Sequence, residues 1–136
     1  MITITIPGKP IAKARPRFYR RGNFVGTYNS QETEEGRWLL EAKSQIELKE
    51  LLIGAISLKV RFYMPMPKSF PKKLIHLLKA GFWIPHIKRP DLDNLIKFVK
   101  DCLNGVVWKD DSQISKLMGF KIYGIEPRTE ITIEAN

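Results

Sequence analysis

Ile2, Ile4 and Ile6 alternate with Thr3 and Thr5, the two-residue period of a strand with one buried face. Pro7-Gly8 ends that strand. Residues 17–20 and 24–28, around Arg21-Gly22-Asn23, have the form of a hairpin. Ser30 is a natural helix N-cap, followed by Glu32, Glu34 and Glu35, where negative charge suits the helix dipole. The spacing predicts a helix from there to about Leu52, with Trp38, Leu39, Ala42, Gln45, Ile46 and Lys49 on one side and Gly54 as its stop. Ile56, Leu58, Val60 and Phe62 alternate with Ser57, Lys59, Arg61 and Tyr63, a second strand. Pro65, Pro67 and Pro71 exclude regular structure up to residue 71. A short helix follows over about Lys72 to Lys79, ending at Gly81.

Residues 91–104 carry the cleanest helical period: Leu92, Leu95, Ile96, Val99, Cys102 and Leu103 share one face. Gly105 stands where a left-handed C-cap belongs. Val106–Trp108 is a short apolar return, and Asp110-Asp111-Ser112 is a turn. Ile114–Tyr123 and Glu130–Glu134 form a closing pair of strands joined through Gly124–Arg128. The order β, loop, α, β, short α, α, β, β predicts an α+β fold, one domain over residues 1–136, with helices packed on a small mixed sheet.

Charge changes this picture. The 136 residues hold 23 Lys plus Arg against 14 Asp plus Glu, a formal net charge of +9. Such an excess points to a polyanionic partner, nucleic acid or a membrane surface. The cations do not lie on one amphipathic helix, which argues against the membrane. No apolar stretch approaches the ~18 residues of a membrane span. The start MITITIPGKP lacks the form of a signal peptide. A lone cysteine, Cys102, excludes a disulfide framework and a cysteine-based zinc site, and fits a reducing cytoplasm.

The layout of charge says more than its total. Residues 1–31 hold Lys9, Lys13, Arg15, Arg17, Arg20 and Arg21 and no acid. Residues 51–90 hold Lys59, Arg61, Lys68, Lys72, Lys73, Lys79, Lys88 and Arg89, again with no acid. Every aspartate falls between Asp91 and Asp111. Capping chemistry and a metal site both explain such a window.

Pro90 disfavours helix at Arg89, so the helix starts at or after Asp91. Asp91 and Asp93 lie two apart, which diverges inside a helix but converges where one residue is still extended. Lys97 projects one turn beyond Asp93. The short apolar return can bring Asp110 and Asp111 back beside the helix start. Three convergent carboxylates would hold Mg²⁺, a cation that keeps waters for substrate phosphate and can activate one of them. A neighbouring lysine stabilises the charge of phosphodiester displacement. The plainer roles are an Asp91 N-cap worth ~1 kcal/mol, an Asp93–Lys97 pair worth a few tenths of a kcal/mol and an Asp110 turn. From spacing alone those roles are the commoner. The flanking cations shift the balance, because phosphate binding needs basic arms and structural aspartates do not.

The run KRPDLDNLIKFVKDCLNGVVWKDDSQI resembles the core of the RusA family of Holliday junction resolvases, common in prophages. GKPIAKARPRF resembles the opening of its Gram-positive phage branch, and the likeness covers most of the chain. The resemblance implies symmetric cleavage of four-way DNA junctions by a homodimer using Mg²⁺; whether Mn²⁺ serves as well is left open by the sequence. It matches the essential acids to Asp91, Asp93 and Asp111, and the active-site lysine to Lys97. Asp110 matches a commonly acidic neighbour. The departure lies in Thr27-Tyr28-Asn29-Ser30 and Gly36, where relatives read Thr-Tyr-Thr-Pro and later Tyr-Glu.

Lys9, Lys13, Arg15 and Arg17, with Lys88 and Arg89 beside the aspartates, are the expected phosphate contacts. His86 reads as a loop histidine. Phe82 and Trp83 are suited to wedge into a junction's open centre, although core packing is the commoner role. Trp38, Trp108 and Cys102 read as core. Two other functions fit the charge map: a non-catalytic nucleic-acid-binding protein with structural aspartates, and a nuclease without junction preference.

Overall fold

The computed structural model describes residues 1–14, 17–28 and 31–135, without the side chains of residues 17–19, 27 and 28. The expected Ser30 cap, Arg15, the Arg17 side chain and the Thr27-to-Ser30 departure therefore lie outside the described residues.

Alternation of apolar and polar residues produces the strands the sequence predicts. β1 (Ile2–Pro7), β4 (Ile56–Pro65), β5 (Ile114–Gly124) and β6 (Arg128–Ala135) form one mixed sheet in the order β1-β6-β4-β5. β2 (Arg17–Arg21) and β3 (Phe24–Tyr28) pair as the expected hairpin. The central strand β4 turns Ile56, Leu58, Val60, Phe62 and Met64 to the core, joined by Ile4, Ile6, Ile131 and Ile133.

Two helices cover that face: α1 (Glu32–Lys43) through Trp38 and Ala42, and α3 (Leu92–Leu103) through Leu95, Phe98, Val99, Cys102 and Leu103. Trp38 meets Phe98 edge-on at 5.8 Å. Leu92 and Ile96 of α3 ride over β5 at Gly119, where an added Cβ would fall 2.6 Å from Ile96 Cδ1. α2 (Lys72–Lys79) has the predicted bounds. The architecture is thus α+β, with helices on a mixed sheet, as the alternation and periodicity predict. Among the described residues no helix is long and apolar enough to cross a membrane.

Two elements differ from expectation. The first helix ends at Lys43 and does not continue to Leu52. Gln45 leaves the helix to face the edge strand β1: its Oε1 accepts from the Thr5 N–H at 2.9 Å and its Nε2 donates to the Thr5 carbonyl at 2.7 Å. Leu52 then donates to the Val107 carbonyl at 2.8 Å and bridges Trp108. Tertiary pairing at both ends outcompetes local helix propensity.

The last two strands also do not pair with each other. β4 lies between them, antiparallel to β6 and parallel to β5. Parallel pairing requires a long crossover, which α2 and α3 supply. β4, with every second side chain buried, takes a central place.

The buried α3 face predicts an inert thiol. Burial, with Glu35 and Asp101 nearby, pushes Cys102 up to about 12, against a smaller downward pull from Lys13. Ellman's reagent at about pH 8 should leave the native chain unlabelled, since the thiolate is the reactive form. One thiol should titrate after denaturant is added. Equal labelling of native and unfolded chain would contradict this packing.

Candidate functional site

The start of α3 is where the basic N-terminal segment is tied down. The Lys13 N–H donates to the Asn94 carbonyl at 3.0 Å, laying residues 9–14 along the first turn of α3. Gln31, buried before α1, grips the same segment: its Oε1 accepts from the Ala14 N–H at 2.6 Å and its Nε2 donates to the Ala12 carbonyl at 2.7 Å. The sequence reading missed this residue, and one glutamine at a helix start carries no signal of it.

The Lys13 ammonium does not face outward. It lies 3.0 Å from Glu35 and 3.3 Å from Asp101, joining α1 to α3. Burial pulls its pKa down, but hydrogen bonds to both carboxylates outweigh this and hold it above the ordinary lysine value. The structure thus places Lys13, an expected phosphate contact, as a tie between α1 and α3. Both acids come from elements far along the chain, so spacing could not reveal them.

The segment before α3 is pinned from β5. Lys121 Nζ donates to the carbonyls of Lys88 at 2.5 Å and Pro90 at 2.7 Å. The His86 N–H donates to the Lys121 carbonyl, and the Tyr123 N–H to the Ile84 carbonyl, both at 3.0 Å. Residues 84–90 thus wrap the edge of β5. The His86 ring packs against Tyr123 at 4.9 Å. Burial, then Lys121 and Lys88, lowers its pKa, so the imidazole stays neutral near pH 7.

These ties open a cleft of about 990 Å³ lined by Lys9, Gln31, Glu34, Arg89, Asp91 and Asn94. The structure therefore brings together Asp91 and two predicted phosphate contacts, Lys9 and Arg89, and adds Asn94 and Glu34. Lys88 is exposed on the same segment.

Asp91 occupies the N-cap position of α3, but its side chain makes no capping hydrogen bond. Asp93 is exposed, and its Oδ1 accepts from the Asn94 N–H at 3.0 Å. Lys97 is exposed one turn further on. Among the described residues the ion pairs join Lys13, Arg61 and Arg128 to their acids, and none joins Asp93 to Lys97. Neither plain role, cap or helix pair, thus engages the two acids.

The second acidic group lies elsewhere. The 3₁₀ turn Asp111–Gln113 precedes β5, and Asp110 caps it by accepting from the Ser112 N–H at 2.9 Å. Hydrogen bonding from Ser112 holds the Asp110 carboxyl below its ordinary value. Asp111 Oδ1 accepts from the buried Trp108 indole at 2.8 Å. Trp108 is core, as expected, but it also orients this carboxylate.

Asn104 bridges Trp108, and the Gly105 N–H donates to the Trp108 carbonyl at 2.7 Å. The turn is therefore fixed at the C-terminal end of α3. Twelve residues of helix, about 18 Å, separate its two ends. The expected return of Asp110 and Asp111 to the helix start does not occur within one chain. Among the described residues no three carboxylate, imidazole or thiol groups gather as a cation site. Asp91 and Asp93 are oxygen donors of the kind a hard divalent cation takes; both sit at the start of α3, and Asp111 stands at its other end.

Two comparisons bear on this arrangement. Residues 7–134 match the family model described as Endodeoxyribonuclease RusA. The chain is also 36% identical over 135 residues to the uncharacterized protein YqaN of Bacillus subtilis (strain 168), an alignment that covers 97% of this chain and 94% of that protein. With nearly its whole length matched, the chain belongs to the RusA endodeoxyribonuclease family.

Proposed function

We propose that the protein is a divalent-metal-dependent Holliday junction resolvase, a cytoplasmic homodimer that nicks four-way DNA symmetrically during recombination and repair. The observation that carries this reading is the cleft, where an uncapped Asp91 shares its walls with Lys9, Arg89 and Asn94. A structural aspartate needs no such company. Phosphate binding needs cations, and cleavage needs an acid free to act.

In this reading Asp91 and Asp93 hold Mg²⁺ or Mn²⁺. When bound, the cation acidifies water and neutralises charge on the scissile phosphate. Lys9, Lys88 and Arg89 fix the phosphate backbone across the cleft, and Arg15 and Arg17 extend the same arm. Lys97, projecting from α3 beyond Asp93, stabilises negative charge on the phosphate as the bond breaks. Asp111, in the turn beyond the far end of α3, lies too far from its own chain's pair to share a cation with it, so the second copy of the two-fold dimer presents it. A two-fold enzyme with two sites suits a two-fold junction that needs paired nicks.

A labelled synthetic four-way junction tests the activity. Wild-type protein should cut it with Mg²⁺ and leave it intact in EDTA. Asp93→Asn should keep junction binding and lose nicking by about a hundredfold or more. Full nicking by that variant would sink the mechanism. Metal-independent binding with no cut in any junction, flap or duplex would leave a nucleic-acid-binding protein whose aspartates are structural.

Subunit mixing tests where Asp111 acts. Asp93→Asn and Asp111→Asn chains should each be inactive alone. Exchanged together, they should recover about a quarter of wild-type nicking, since half the dimers are mixed and each has one whole site of two. No recovery would return Asp111 to its own chain's pair.

Phosphate contacts read out in salt. Lys9→Ala and Arg89→Ala should each weaken binding and reduce the slope of log affinity against log salt by about 1. Lys13→Ala should leave that slope unchanged and lower the thermal midpoint instead.

A further inference from the structure

Phe82 and Trp83 do not pack in the core: Phe82 is 61% exposed and Trp83 47% exposed. They follow α2 and border a cavity of about 660 Å³ with Tyr63, Gly81, Tyr123 and Arg128. This cavity opens on the sheet face opposite α1 and α3, where Tyr63 stands among the outward residues of β4. It is separate from the Asp91 cleft and shares no lining residue with it.

The rings are held in place. Trp83 meets Phe120 edge-on at 5.1 Å, and the Arg61 guanidinium lies 5.1 Å from its ring centre. The Arg128 guanidinium lies 3.7 Å over the Tyr63 ring. Arg128 also donates to the Glu126 carbonyl and pairs with Glu130, so it is fixed from two sides. Glu126 itself lines the cavity and adds one negative charge to the rim.

Phe82 and Trp83 stand exposed at the rim, and Arg61 and Phe120 hold the Trp83 ring, which makes a stacking platform. We propose that this cavity receives an unpaired nucleobase from branched DNA. The proposal rests on the DNA-acting reading above and goes beyond it by naming what lies on the opposite sheet face. Stacking on an aromatic ring is tolerant of base identity, as structure-selective recognition requires.

Two observations favour a base over an apolar protein anchor. The chain carries +9, which draws a polyanion. The cavity is also joined to Asp91 by the short segment 84–90, pinned at Tyr123 on one side and through Lys121 on the other. Segment 84–90 therefore links Trp83 to Asp91 along the edge of β5. Paired bases cannot enter, because their faces are already stacked. A branch point offers bases that can.

The test uses 2-aminopurine, whose emission falls on stacking, in wild-type protein without divalent metal. One DNA carries a single unpaired 2-aminopurine at a branch, and a control duplex carries it paired. Protein should quench the unpaired probe severalfold and leave the paired probe unchanged. Acrylamide quenching gives a second readout from the same side: Trp38 and Trp108 are 4% and 0% exposed, so the accessible emission is that of Trp83. Branched DNA should shield it.

Phe82→Leu with Trp83→Leu should abolish the probe's quenching and weaken binding of branched DNA about tenfold, with duplex affinity kept. Trp83→Phe should restore both. Circular dichroism checks that the variants fold. Equal quenching of paired and unpaired probes, or quenching unchanged in the double variant, overturns the proposal, as does an absence of DNA binding. Burial of Trp83 that rises with protein concentration without DNA would assign the cavity to a second copy, and would also overturn it. No step requires cleavage, so stacking without nicking would fault only the nuclease reading, and nicking without stacking only the cavity.

Discussion

The apolar face of α3 fixes where everything else in the molecule can be. Leu95, Phe98, Val99, Cys102 and Leu103 are buried against β4 and its neighbours. Each such side chain contributes ~1.5–3 kcal/mol of burial, so the helix has one stable rotation about its axis. That rotation turns Asp93 and Lys97 outward and leaves Asp91 at the exposed end. A slip of one residue would carry Lys97 toward the core, at a cost far above the net stability of a small domain. The site's orientation is therefore set by packing, with no side chain at the site required to hold it.

The basic arm depends on the same helix. Its backbone bonds the first turn of α3 through Lys13, and the Lys13 ammonium bridges Glu35 and Asp101. One cation is thus withdrawn from the partner-binding charge to lock the arm between two helices. Half-shielded from water, that three-way pair is screened less by salt than an exposed one. The arm's position should therefore outlast the salt that weakens its outer contacts. Lys9, at the other end of the same arm, lines the cleft.

Much of this was legible in the sequence, and the failures share a cause. Period-two runs located β1 and β4, and period-3.6 spacing located α3, because those patterns record burial directly. Trp38 and Trp108 read correctly as core for the same reason. The early stop of α1 was invisible, since it depends on Gln45 reaching β1 across forty residues. So was the place of β4 between β5 and β6. Asp91, Lys9 and Arg89, singled out from charge layout and family likeness, line one cleft. Lys13's ion pairs, the Gln31 grip and the Lys121 pin were missed, because each joins residues far apart in sequence. For Phe82 and Trp83 the sequence offered a surface wedge and the commoner core role; both are exposed, and Arg61 lies against the Trp83 ring.

β5 is an edge strand, and an uncovered edge is a liability in any sheet. Here the chain covers part of it with its own segment 84–90, through Ile84, Pro85 and His86 against residues 121–123. The same cover has Trp83 packed on Phe120 at one end and Pro90 held by Lys121 at the other. Protection of the edge and placement of Asp91 are therefore one structural device. The segment cannot lift from β5 without moving the start of α3, and α3 cannot move without breaking the core. Residues on opposite faces of the sheet are in this way referred to a single strand. A DNA strand crossing that edge would meet a fixed distance between aromatic ring and acid, set by β5 and not by a mobile loop.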